Sequence, residues 1–461
     1  MDISQDNKVE DYPENNPPRP AERSADMPML WDEAHCRLID SCVRTESLVE
    51  LFLQLRKLAD DLDGNQTMKD SNFLVASTVN ALRNYDWTMC ELLHSMSIPV
   101  VRSIVKNTFA FDVHNRTITP FRIPHGKLDE DIPGVYVIGL MIPNRGGQFL
   151  NTRELELLIQ DMKLYTQGYE AFVKHDGWKS AAMTSGEDKA RRLVKAVDNS
   201  SGAQIDKDTG PMFIEKDEEL WRVRALIKTF EGMCDRSLDP SGTTHSSQSP
   251  LYVGCSKKLK QRTQVYSNWN VKGINKPLGL TVSILRKLNK PPDLVLGCVC
   301  RIVKKEQLPK AEQLVTTIAG SLVYQHGFNA TESGGTGLKS IPTDGGIKAN
   351  IEYLICSTRV LLDNLRDSLE EVDLRARFLN DMAQVEGELV KIKEVLDDCA
   401  EALENLPPDF KWNETLDDIS ALREDVQNDL DDKEDALRFW RLILAIQDII
   451  AKETGRGLDL L

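Results

Sequence analysis

A short basic stretch beginning at Tyr252 contains the residue types that chemistry on a phosphate ester requires. Tyr252 opens an apolar, strand-like run that ends at Gly254, and Arg262 follows ten residues after the tyrosine. A guanidinium is a planar fork of N–H donors that matches two phosphate oxygens. Three lysines lie between the two and would bind flanking phosphates without reading base sequence: Lys257, Lys258 and Lys260. The plain alternative for these basic residues is a solvated helix face.

One glutamate and two tyrosines supply the remaining groups that phosphodiester hydrolysis needs. A carboxylate such as Glu312 can hold Mg²⁺ or Mn²⁺, because Mg²⁺ prefers few protein ligands and several waters. A tyrosine hydroxyl close to that metal and to Arg262 could deprotonate or orient the attacking water. We expect the nearby cations to lower its pKa. Tyr136 and Tyr252 are both candidates, and the sequence does not rank them. Glu312 could instead be an acid that favours the helix dipole.

The order of these residues is similar to that of the GIY-YIG nucleases. Tyr252-Val253-Gly254 with Arg262 resembles the second signature of the family, in the form found in the nuclease subunit of bacterial excision repair. The resemblance implies a strand over 293–303, Glu312 as the metal ligand and Asn329 as the asparagine that closes the domain. It implies a metal-dependent endonuclease that cuts DNA, with RNA as the second choice.

The first signature of the family is a Gly-Ile-Tyr strand, for which Gly134-Val135-Tyr136 is the candidate. This chain departs from the family because 116 positions separate Tyr136 from Tyr252, where a short hairpin is usual. The assignment therefore requires a helical insertion at a loop tip. Two other functions stay open: a catalytically inactive domain of the same fold that binds nucleic acid or protein, and a helical scaffold protein.

Hydrophobic periodicity predicts an α+β fold. We expect a small three-stranded sheet with flanking helices, embedded between mostly helical N-terminal, inserted and C-terminal segments. Strands are predicted at 109–113, 117–123, 133–140, 251–254 and 293–303, and a helix at 309–325 that ends at Gly327. The predicted segments are a disordered leader (1–28), a helical N-terminal domain (29–106), a β-rich segment with the first nuclease strand (107–150), a helical insertion with a flexible linker or exposed loop at 236–250 (151–250), the nuclease-like core (251–340) and an acidic helical hairpin or coiled coil (350–461).

An apolar seam in the last segment repeats at alternating spacings of four and three. It predicts helix packing within the chain or, as the alternative, a homo-oligomer through the C-terminal helices. The residues of this seam are Phe378, Met382, Val385, Leu389, Ile392, Leu396, Cys399 and Leu403.

Charge is distributed unevenly along a chain whose formal net charge is −15. Residues 251–310 contain 13 Lys and Arg against 2 acidic residues, whereas residues 350–461 contain 28 acidic residues against 13 basic ones. The basic segment predicts a nucleic-acid partner. The acidic helices are expected to lie against that basic face and to suppress non-specific cutting.

The cysteines and the apolar segments indicate an intracellular protein. Nine cysteines are scattered without zinc spacing, which is typical of free thiols in a reducing compartment, the nucleus or the cytoplasm. Cys298 and Cys300 are expected to face the same side of a strand. No stretch is long and apolar enough to predict a membrane span.

Overall fold

A computed structural model of the protein describes residues 33–43, 47–64, 87–122, 132–178, 183–202, 210–237, 239–267, 273–331 and 341–404, with 424, 426–429 and 433. Over these residues the fold is α+β and mostly helical, with thirteen α-helices, one π-helical turn and one three-stranded antiparallel sheet. The predicted α+β class with a small three-stranded sheet is therefore confirmed. No helix in these ranges combines the length and the apolar character needed to cross a bilayer. The predicted leader lies outside the described residues.

The elements follow one another in an order that separates β1 from β2 by three helices. Helices α1 (Glu33–Val43), α2 (Val49–Gly64), α3 (Trp87–His94), α4 (Ile98–Val105) and α5 (Phe109–His114) precede β1 (Gly134–Met141). Helices α6 (Thr152–Lys174), α7 (Ser185–Ser200) and α8 (Asp217–Gly232) lead to β2 (Tyr252–Ser256). Helices α9 (Leu259–Ser267) and α10 (Lys276–Lys287) precede β3 (Asp293–Arg301). The chain continues through α11 (Gln307–Ala319), α12 (Asp344–Glu352), the π-helical turn Tyr353–Ser357 and α13 (Val360–Glu404).

Strand β1 is the central strand of the sheet, with β2 and β3 on either side. It reads as a continuous apolar run and is buried over almost its whole length, as a strand covered on both faces should be. Its residue Tyr136 is paired with Gly254 on β2 and with Cys298 on β3. The strands that carry the two predicted signatures are therefore direct neighbours, although 116 positions separate Tyr136 from Tyr252.

Side chains of β1 alternate between two separate apolar cores, because successive residues of a strand point to opposite faces. Tyr136 and Ile138 belong to a core that also receives residues of α6, α7, α8 and α10. Val135 and Val137 belong to a second core, built with α1 to α4 and α11. One face of the sheet therefore shares its core with the inserted helices and α10, and the other face shares its core with the N-terminal helices and α11. Both layers are part of a single three-layer fold.

The strand predicted at 109–113 is wrong, because these residues form helix α5. The carboxylate of Asp112 accepts hydrogen bonds from the hydroxyls of Ser103 and Thr108, which fixes the helical turn. The strand predicted at 117–123 is also wrong. In its described part, only Phe121 forms an isolated bridge, to Cys298. Alternating apolar residues in a short run do not distinguish a strand from a buried helical turn.

A register shift in β3 overturns the prediction that Cys298 and Cys300 face the same side. Val135 is paired with Cys300 and Tyr136 with Cys298, so one residue of β3 is left over between the two pairs. The bulge turns Cys298 into the core of Tyr136 and Cys300 into the opposite core.

One predicted boundary is also different in the structure. Helix α11 ends at Ala319 and not at Gly327, and its C-cap Gly320 has the left-handed φ of 53° that glycine favours. Residues 239–250 contain no helix or strand, and hydrogen bonds fix them to neighbouring segments. The amide of Phe149 donates to the carbonyl of Ser246 at 2.8 Å, and the amide of Leu140 donates to Ser249 Oγ at 3.0 Å.

The first turns of α13 pack on the N-terminal helices and not on the basic segment. Asn364 Nδ2 donates to the carbonyl oxygens of His94 and Met96, at 2.8 and 2.7 Å. Farther along, Glu388 forms an ion pair of 2.9 Å with Lys433. The proposed placement of the acidic helices against the basic face is not observed in the described part of α13.

Gly254 provides a direct test of the strand register. A Cβ at this position would lie 2.5 Å from Oη and 2.6 Å from Cζ of Tyr136, which is fully buried and cannot move aside freely. We expect Gly254→Ala to lower the free energy of unfolding by about 1–3 kcal/mol, measured by urea denaturation.

The matched control is Gly387→Ala on α13. A Cβ at Gly387 would meet nothing within 4 Å, and alanine is the better helix former. This control should leave the free energy of unfolding unchanged or raise it slightly. Equal effects of the two substitutions would contradict the register.

Candidate active site

Three tyrosine rings gather on the face of the sheet that shares its core with the inserted helices. Tyr136 comes from β1, Tyr252 from β2 and Tyr266 from α9. The ring centroid of Tyr136 lies 6.3 Å from that of Tyr252 and 5.8 Å from that of Tyr266. The ring centroids of Tyr252 and Tyr266 are 5.9 Å apart. The register explains the first contact, since Gly254 opposite Tyr136 has no side chain and leaves room for the ring.

Arg262 is held by this tyrosine cluster. Its Nε donates to Tyr136 Oη at 3.0 Å, one terminal nitrogen donates to Tyr266 Oη at 3.2 Å, and the other donates to the carbonyl of Gly273 at 3.0 Å. Arg262 and Tyr266 are four residues apart on α9, so both side chains point the same way. Within the described part of the chain, these bonds use three of the five N–H groups of the guanidinium and leave one on each terminal nitrogen.

The hydroxyls of Tyr136 and Tyr266 are neutral groups near pH 7. Burial, and then the neighbouring Tyr252, raise the pKa of Tyr136 well above its ordinary value, and Arg262 only partly opposes this. Burial raises the pKa of Tyr266 in the same way. Arg262 alone does not lower the pKa of Tyr136 below its ordinary value, because the cost of burying a phenolate exceeds the gain from one guanidinium. The hydroxyl of Tyr136 accepts a hydrogen bond from Arg262 and helps to position it.

Glu312 reaches β2 from the opposite side. Helix α11 packs against this strand, and the carboxylate of Glu312 accepts a hydrogen bond from the thiol of Cys255. Burial, followed by the charge of Glu312, raises the pKa of Cys255, and Arg262 lowers it. The charges of Glu312 and Arg262 therefore shift the pKa of Cys255 in opposite directions. Glu312 lies beyond the first turn of α11, and the helix dipole has little effect on a charge at that distance from the helix start. An interaction with the dipole alone is therefore a poor explanation for a glutamate at this position.

Asn329 fixes the free edge of β2. Its Oδ1 accepts from the amide of Val253 at 2.9 Å, and its Nδ2 donates to the carbonyl of Val253 at 2.7 Å. These are the two bonds that another strand would make with this residue. Asn329 is thus a structural residue next to the site, which holds the strand between Tyr252 and Gly254.

Comparisons with protein-family models, with curated proteins and with solved structures give no match for this chain.

The donors present would suit a hard cation held mostly by water. Among the described residues there is no group of three or more His, Cys, Asp or Glu that could enclose a metal ion. Glu312 offers one carboxylate, and Mg²⁺ commonly binds through one or two carboxylates and several waters. The Cys255 thiol stays protonated near neutral pH, because its pKa is raised, and a protonated thiol is a poor metal ligand.

Most ion pairs of the basic segment 251–310 connect it to acidic residues elsewhere in the chain. This segment bonds to carboxylates of the N-terminal, inserted and later helices, so part of its positive charge serves to hold the layers together. The pairs are Lys276 with Glu219 (2.7 Å), Lys287 with Asp161 (2.9 Å), Lys290 with Glu154 (2.7 Å), Lys304 with Glu91 (2.9 Å) and Lys305 with Asp344 (2.7 Å).

The lysines next to Arg262 are the basic residues best placed for a substrate. Lys257 and Lys258 lie between β2 and α9, and Lys260 lies in the first turn of α9, all of them half-buried. Sequence reasoning gave no role to Tyr266 or to Cys255. The spacing of four between Arg262 and Tyr266 was the available signal for the first, whereas nothing along the sequence relates Cys255 to Glu312.

A tyrosine titration tests the site's hydrogen bonds. In the native protein, Tyr136→Phe and Tyr266→Phe should leave the ultraviolet titration from about pH 8 to about pH 11 unchanged, because neither hydroxyl ionises there. In denaturant, where all nine tyrosines of the chain titrate, each variant should show one tyrosinate fewer than the parent. A smaller amplitude for either native variant would contradict the buried, neutral cluster.

Proposed function

We propose that the protein is a metal-dependent endonuclease of the GIY-YIG type, which hydrolyses phosphodiester bonds in DNA or, as the second choice, in RNA. The observation that supports this best is the pairing of β1 with β2, which brings Tyr136 and Tyr252 together and places Tyr136 Oη 3.0 Å from Arg262 Nε. Helix α11, which carries Glu312, packs against the same strand β2.

In this proposal each side chain has a separate task. Arg262 binds a phosphate oxygen with its two remaining N–H groups, and Tyr136 and Tyr266 hold the guanidinium in place. Glu312 holds Mg²⁺ or Mn²⁺, and a divalent ion of this kind neutralises phosphate charge and makes a bound water more acidic. Lys257, Lys258 and Lys260 contact the flanking phosphates.

Tyr252 is the better candidate for contacting the attacking water. Tyr136 is fully buried and its hydroxyl bonds to Arg262 and Tyr266, so it has neither access nor a suitable pKa. Tyr252 stays slightly exposed at the outer strand of the sheet. Its hydroxyl can orient the water by accepting or donating a hydrogen bond.

Cleavage of supercoiled plasmid tests the proposal. The purified chain should nick DNA with Mg²⁺ or Mn²⁺ and not with a chelator present. Glu312→Gln and Arg262→Lys should each lower the rate by at least about 100-fold. The matched control is Glu306→Gln, which removes an exposed carboxylate at the start of the same helix and should keep full activity. Metal-dependent cutting that survives both site substitutions would exclude this site.

A second candidate function is a nucleic-acid binding module that does not cut. The complete burial of Tyr136 and the three bonds that Arg262 already makes favour it, because both features restrict access for a substrate.

Binding without cutting has its own signature. The logarithm of the association constant should fall with the logarithm of salt concentration, with a slope of about −3. Lys257→Ala should reduce the slope by about 1, whereas Lys348→Ala, at a highly exposed position on α12, should not. Fluorescence anisotropy with a labelled duplex measures both slopes. Equal slopes for the two variants would contradict a nucleic-acid surface at α9.

A further inference from the structure

The first half of α13 carries a stripe of large apolar side chains that face solvent. Leu362, Leu369, Val372 and Leu379 are 44%, 66%, 47% and 49% exposed. Single exposed leucines are ordinary on protein surfaces, but four at spacings of seven, three and seven on one helix are not scattered. With the half-buried Leu365 and the exposed Ala376, the stripe follows the three-and-four spacing of a coiled-coil seam.

This stripe is distinct from the two faces of α13 that contact His94 and Lys433. Asn364 and Ser368 point toward the N-terminal helices, where they contact His94, about 90° around the helix from the stripe. Glu388, which pairs with Lys433, lies about 130° away from it. Among the described residues, the stripe is therefore outside the contact of α13 with the N-terminal helices and on a different face from Glu388.

We propose that a second copy of this chain binds the stripe, through an antiparallel pairing of the two α13 helices. In an antiparallel coiled coil, each a position of one helix packs against a d position of the other helix, and the two side chains form one layer of the seam. The layers would be Leu362 with Leu379, Leu369 with Val372 and Leu365 with Ala376, each across the two copies and each formed twice by the two-fold symmetry.

Charges beside the stripe favour this pairing over a parallel one. The antiparallel register brings Arg366 of one copy opposite Asp373 of the other, and the symmetry repeats the pair. In a parallel pair, Asp373 would instead face Ser368, which carries no charge. Arg366 is otherwise paired only with exposed acids of its own helix in the described part of the chain, at 3.3 Å or more.

The expected association is weak and depends on concentration. The stripe covers 18 residues, from Leu362 to Leu379, or about 27 Å of helix. Two such faces bury less than the roughly 1,200 Å² of a standard stable interface. We therefore expect a dimer with a dissociation constant in the micromolar range and a monomer on dilution.

Sedimentation velocity of the full chain over a range of concentrations tests the dimer. Leu369→Glu, at the centre of the stripe, should give a monomer at every concentration. Leu374→Glu is the matched control, because Leu374 is 62% exposed on the same helix but outside the stripe, and it should dimerise like the parent chain. A parent chain that stays monomeric throughout, or a Leu369→Glu chain that still dimerises, would overturn the proposal.

Charge exchange tests the orientation of the two helices. Arg366→Asp and Asp373→Arg should each weaken the dimer by about tenfold, since each creates two like-charge contacts. The double variant, Arg366→Asp with Asp373→Arg, should recover the parent dissociation constant. If the double variant is as weak as the single ones, the antiparallel pairing is wrong. Circular dichroism of every variant shows that the helices remain folded.

Discussion

The pairing of β1 with two strands from a distant part of the chain is the constraint on which the candidate site depends. β1 supplies Tyr136, whose ring lies over Gly254 and whose hydroxyl accepts a bond from Arg262. Without β1 at the centre, Arg262 would lose this acceptor. The pairing tolerates the long insertion because residues of α6 to α8 belong to the same core as Tyr136 and Tyr252, so the packing of these helices and the pairing of β1 with β2 stabilise each other.

Burying part of an arginine side chain sets the character of the site. A desolvated guanidinium needs hydrogen-bond acceptors, and two neutral tyrosines with one carbonyl provide them. This arrangement holds Arg262 rigidly, which suits the binding of a phosphate, but it also removes Tyr136 from the choice of water-activating groups. The proposed chemistry therefore depends on Tyr252, Arg262 and Glu312.

The sequence predicted the three strands of the sheet and the order of the candidate residues, because Gly-rich strand ends and apolar runs are local signals. It mistook α5 for a strand, since six residues with alternating apolar side chains fit both structures. It could not foresee the bulge that separates Cys298 from Cys300. It also could not show that carboxylates of other layers pair with lysines such as Lys287 and Lys290, since such contacts exist only in the folded chain.

An engineered thiol on β1 measures the central claim most directly. Val135 is paired with Cys255 on β2 and with Cys300 on β3, and paired residues in antiparallel strands lie within disulfide range. After mild oxidation of the Val135→Cys chain, peptide mapping by mass spectrometry should find the new thiol joined to Cys255 or to Cys300. A new thiol that stays free, or that joins only a cysteine outside these strands such as Cys356, would contradict the sheet and the site built on it.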